Sequence, residues 1–72
     1  MTEQDALRLA EMRARAEGWP FEPPVKARLS KPWFFGRRQW IVQSNTDFIG
    51  SNVWVVIDDE AGDIVSAGFA PR

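Results

Sequence analysis

Four carboxylates, Asp58, Asp59, Glu60 and Asp63, fall within six positions of the chain. So tight a group could bind a hard cation or supply the paired acid and base of proton-transfer chemistry. Its spacing does not match an EF-hand loop, and Asp residues leading into Gly62 are also ordinary turn chemistry. A solvated hairpin tip is therefore the preferred reading. A second group, Lys31-Pro32-Trp33-Phe34-Phe35-Gly36-Arg37-Arg38-Gln39-Trp40, interleaves cations with aromatic rings. That mixture suits single-stranded nucleic acid, held by stacking and phosphate contact. It equally suits a protein partner with an acidic patch, or a strand whose rings face the core while its Arg residues face water.

The chain has no His and no Cys. Their absence removes the commonest general base, the commonest metal ligand, the thiolate nucleophile and any disulfide staple. No catalytic residue, metal-ligand set or cofactor is expected. A formal net charge of −1 offers no global attraction to nucleic acid. The charges are nevertheless segregated, because residues 23–45 contain Lys26, Arg28, Lys31, Arg37 and Arg38 and no acid. A basic region and an acidic tip follow.

The elements that must position these groups are legible in outline. Residues 3–17 are rich in Ala, Leu, Glu and Arg, Thr2 is placed to cap them, and Gly18 stops them. On a helix Leu9, Met12, Ala16 and Trp19 share one side, widened toward Leu7 by Ala6, Ala10 and Ala14. Residues 18–24, with Pro20, Pro23 and Pro24, cannot continue the helix and read as a stiff linker. Val25-Lys26-Ala27-Arg28-Leu29 alternates apolar and basic residues, as an edge strand would. A second strand is expected over 33–43, with Arg38, Trp40 and Val42 on one face and a bulge at Gly36. Residues 44–52 are turn-forming apart from Phe48 and Ile49. The continuous apolar run 53–57 suits a central strand. Gly62 closes a hairpin, and 64–69 return as the last strand, ended by Pro71. The fold class is α+β, one N-terminal helix packed on a four-stranded antiparallel meander within a single domain spanning 1–72, its sheet covering about 25–70.

At 72 residues such a domain buries only about 60% of the surface its unfolded chain exposes. The four Trp and five Phe must supply much of the core or mark a surface made for a partner, at roughly 150–250 Å² each. One helix covers one face of a sheet, so the other face would leave large apolar side chains exposed unless something binds there. Trp33, Phe48 and Trp54 are the rings hardest to assign to the core, and Trp54 fits interface and core alike. The polar, acidic opening Met1-Thr2-Glu3-Gln4-Asp5 differs from the basic start of a signal peptide. No apolar run approaches the roughly 20 residues of a membrane span. The expectation is a soluble cytoplasmic protein.

The Ala-spaced helix Ala6-Leu7-Arg8-Leu9-Ala10, the strand Trp40-Ile41-Val42, and Val53-Trp54-Val55-Val56-Ile57-Asp58 leading to Gly62-Asp63-Ile64-Val65 resemble small bacterial domains of the PepSY and cystatin-like type. The same order is similar to immunity proteins whose fold is like that of nuclear transport factor two. The resemblance covers most of the chain through short motifs. It implies a non-enzymatic role, in which PepSY-type modules bind or restrain peptidases and immunity-type relatives block a toxin. The chain is shorter than the immunity pattern, and the expectation is that it stands alone, without the export signal or adjoining peptidase of PepSY modules. The expected function is thus a protein-binding module, of inhibitor or immunity type, that occludes a toxin or peptidase or pairs with itself as a homodimer. Trp33, Arg37, Arg38, Phe48 and Trp54 are the expected partner-binding residues. The alternative is a single-stranded nucleic-acid-binding module using 31–40.

Overall fold

Helix α1, Glu3–Glu17, begins where a reciprocal pair of hydrogen bonds replaces the missing intrahelical partners. The Asp5 N–H donates to Thr2 Oγ1 at 3.1 Å, and the Thr2 N–H donates to Asp5 Oδ2 at 3.1 Å. At the other end Gly18 adopts φ 76°, a left-handed conformation that turns the chain back on itself. The Gly18 N–H reaches the Arg15 carbonyl at 3.2 Å, and the Trp19 N–H reaches the Ala14 carbonyl at 2.8 Å. Ion pairs Arg15–Glu11 and Arg13–Glu17 staple successive turns of the wet side.

The computed structural model describes residues 1–31, 36–47 and 50–71. Four strands follow the helix: β1 (Lys26–Ser30), β2 (Gln39–Gln43), β3 (Asn52–Asp58) and β4 (Ile64–Ala70). They lie in the spatial order β1-β2-β3-β4, each antiparallel to the next, with α1 packed on β1, β2 and β3. The fold is the expected α+β meander. Strand β2 begins at Gln39, with Gly36 at φ 117° and Arg37 and Arg38 preceding the ladder, and positions 33–35 of the expected strand lie outside the described residues. A register shift at Val56/Ile57 marks an irregularity in the pairing of β3 with β4. None of the described helices is long and apolar enough to cross a membrane.

The core sits between α1 and one face of the sheet. It consists of Ala6, Ala10 and Ala14 from the helix and Val42, Val53, Val55 and Ile57 from the strands, all fully buried. Trp40, Phe69, Trp19, Phe21, Leu7 and Leu9 close its margins. The helix therefore turns its alanines, spaced by four, toward the sheet, while Met12 and Ala16 remain exposed. The expected stripe through Met12 and Ala16 is rotated, because bare Cβ groups let the helix approach the valine-rich sheet where longer side chains would hold it off. Substituting Ala10→Leu should overpack this contact and lower unfolding stability by about 1–3 kcal/mol, whereas exposed Ala16→Leu should change it by less than about 0.5 kcal/mol. Urea denaturation of the two variants measures the difference.

Candidate functional site

Cross-strand pairing sorts the sheet's side chains into two sets. Ala27, Val42, Val55 and Ala67 align in one row, and Leu29, Trp40 and Ile57 in the next, all toward the helix. The opposite face carries the row Lys26, Gln43, Trp54 and Gly68, and beside it Arg28, Ile41, Val56 and Ser66. The described helix lies on the other side. Trp54 is 38% exposed, at the centre of the open face, and Ile41 and Val56 are half-buried beside it. Lys26 and Arg28 stand on the β1 edge of the same face, both exposed, and form no ion pair among the described residues.

Trp54 owes its posture to Gly68. A Cβ built on Gly68 would overlap Cζ2 and Cε2 of the indole, so the ring lies directly across the glycine's bare Cα. The arrangement lets an aromatic side chain shield backbone on the neighbouring strand. The ring then presents its remaining surface outward. Next to it opens a cleft of about 260 Å³ lined by Gln43, Ser44, Thr46, Asn52, Val53 and Trp54.

The floor of that cleft is the β2–β3 connection, held by its own side chains. Ser44 Oγ accepts from the Val53 N–H at 3.0 Å, and Asn52 Nδ2 donates to the carbonyls of Ser44 and Asn45 at 3.1 and 2.8 Å. Asn45, buried with φ 53°, donates through Nδ2 to the Gly50 carbonyl at 3.3 Å. Its backbone N–H and that of Thr46 reach the Glu22 and Pro24 carbonyls of the linker. The loop expected to take part in binding is thus a knitted turn anchored to the proline segment. Phe48, and likewise Trp33, lie outside the described residues.

Arg37 and Arg38 meet the acidic hairpin. Arg37 donates to Asp58 Oδ2 at 2.9 Å, and Arg38 approaches Asp59 Oδ2 at 3.5 Å. Asp58 Oδ1 also accepts from the Glu60 and Ala61 N–H groups at 2.9 and 3.3 Å, and Asp59 Oδ1 accepts from the Trp40 indole at 2.8 Å. Asp58, buried, and Asp59, half-buried, are consequently members of a lock between the start of β2 and the end of β3, whereas Glu60 and Asp63 are exposed, as expected of a solvated tip. The basic and acidic segments recognise each other. Arg37 still leaves 63% of its side chain exposed at the margin of the open face.

No protein-family model matches this chain, and neither the curated proteins nor the solved structures yield a match.

Two outcomes follow from this geometry. The Arg37 guanidinium, then the turn N–H groups, hold Asp58 below the usual 3.8. A depressed native value means stability that is fully present above 3.8 and lost as pH falls through the lower native value. Asp58→Asn should therefore flatten the acid limb of melting temperature against pH, with a remainder from Asp5, which its Thr2 cap likewise depresses. For the indole, Gly68→Ala should lower stability by about 1–3 kcal/mol in the parent protein and by much less in a Trp54→Ala background. A double-mutant cycle in urea reads that coupling.

Proposed function

We propose that this protein is a non-catalytic binding module whose open sheet face, centred on Trp54, seats against a protein surface that is apolar at its middle and acidic at its rim. The observation that carries the reading is the exposed indole on the face opposite the helix, flanked by Lys26 and Arg28, which form no ion pair among the described residues. Trp and Arg are the residue types enriched where binding energy concentrates. Around the ring, Ile41 and Val56 supply area to be dried, while Lys26, Arg28 and the exposed part of Arg37 supply donors for carboxylates. The β2–β3 cleft next to the ring accepts a partner side chain.

Two of the four carboxylates that could have supported catalysis are engaged otherwise, while Glu60 and Asp63 stand exposed. Asp58 and Asp59 accept from Arg37, Trp40 and the turn amides. The resemblance to PepSY-type and immunity-type domains agrees with a role by occlusion, as an inhibitor of a toxin or peptidase in the cytoplasm. Such a partner would lose access to whatever its covered surface serves.

The test compares affinity capture from cell extract by the parent protein, by Trp54→Ser and by Lys26→Glu/Arg28→Glu. Proteins retained by the parent should be lost from both variants, with purified partner affinity reduced about tenfold or more for Trp54→Ser. Melting temperatures verify that each variant is folded. Retention of the same proteins by Trp54→Ser would remove the reading. Binding of single-stranded oligonucleotide that falls steeply with added salt would favour the nucleic-acid alternative instead.

A further inference from the structure

The two edges of the sheet are built differently. Strand β1 carries Lys26 and Arg28, charges that discourage a copy of the same edge from pairing with it. Strand β4, Ile64–Ala70, runs for seven residues as Ile-Val-Ser-Ala-Gly-Phe-Ala, without a charge or a proline. It forms the end of the described sheet, with β3 on one side and no described strand on the other. Helix α1 packs on β1, β2 and β3 and makes no comparable backbone approach to β4. Beyond the helix, Trp19 stacks on Phe69 with ring centroids 6.4 Å apart and planes at 18°. Val65 is 56% exposed, and Ile64, Ala67 and Phe69 are only half-buried.

We infer that β4 is a self-association edge, and that two copies of this chain join β4 to β4 in antiparallel fashion, making one eight-stranded sheet. The occupant is a second copy for two reasons. An antiparallel pair of identical strands obeys a two-fold axis, so every residue of one must tolerate its counterpart in the other, and the uncharged β4 meets that condition where the basic β1 does not. The core also stops short at this edge, because the apolar shelf of Ile64, Ala67, Phe69 and Trp19 extends past the helix. A second copy brings an identical shelf to the same side of the sheet and continues the core across the axis.

The geometry has a consequence for the open face. A two-fold axis perpendicular to a continuous sheet puts both helices on one side and both Trp54 residues on the other. The self-pairing uses the strand edge and leaves Trp54, Lys26 and Arg28 accessible, so it stands or falls independently of the function proposed above.

Sedimentation equilibrium from micromolar to millimolar protein tests the inference. The parent chain should approach twice its 8.2 kDa mass as concentration rises. Val65→Lys/Ser66→Lys, at two exposed positions of β4, should remain at the mass of one chain, whereas Arg28→Ala should associate like the parent. Amide hydrogen exchange of the unmodified protein gives a reading that needs no variant, with protection in β4 rising with concentration while β1 is unchanged. A parent mass of one chain throughout overturns the inference. So does association that survives the double lysine variant, that vanishes instead in Trp54→Ser, or that grows past two copies in the manner of β4 pairing with β1.

Discussion

The approach of α1 to the sheet is the constraint on which the remaining structure depends. Ala6, Ala10 and Ala14 offer nothing beyond Cβ, and they meet a surface of Val42, Val53, Val55 and Ile57. A helix of 15 residues brought this close shields the helix-side face of three strands. What it does not shield is thereby determined. The fourth strand projects past its reach, and the reverse of the sheet has to be finished by its own side chains. Trp54 lying across Gly68 is the local answer on that reverse face, and Trp19 against Phe69 is the answer at the margin.

Charge is arranged around this frame with a division of labour. Arg37 and Arg38 are taken up by Asp58 and Asp59, which ties the entry of β2 to the exit of β3 and buries carboxylates that would otherwise repel one another at a hairpin. Lys26 and Arg28 are left exposed on the open face. A near-neutral chain thus presents a locally basic surface. Such a surface steers an acidic partner by its local field, although the whole molecule has almost no net charge to do so.

Most of the fold was legible because it depends on short-range rules. Thr2, Gly18 and Gly62 act within a few residues of themselves, and alternating Lys26 and Arg28 identify a wet strand from its own pattern. The helix orientation was harder, since periodicity places Met12 and Ala6 on overlapping arcs and only the partner surface decides between them. The lock was illegible for the same kind of reason. Asp58 looks like turn chemistry when read beside Glu60 and Gly62, and its burial follows from Arg37, 21 residues away, arriving through the register of β2 on β3. Trp54 was recognised as a ring without an obvious place. That its place is Gly68, on the next strand, required the pairing of β3 with β4.

The order β1-β2-β3-β4 also bears on how the chain reaches this state. Every sheet neighbour is the next strand in sequence, so each pairing closes only a short loop and no strand must wait for a distant one. A meander thus keeps strand pairing between neighbours in sequence, and the loop closed before each strand pairs is short. The pairing most distant in sequence is that of α1, whose alanines meet Val53, Val55 and Ile57 of β3. A chain of 72 residues with a modest core thereby limits its exposure to misassembly through its connectivity.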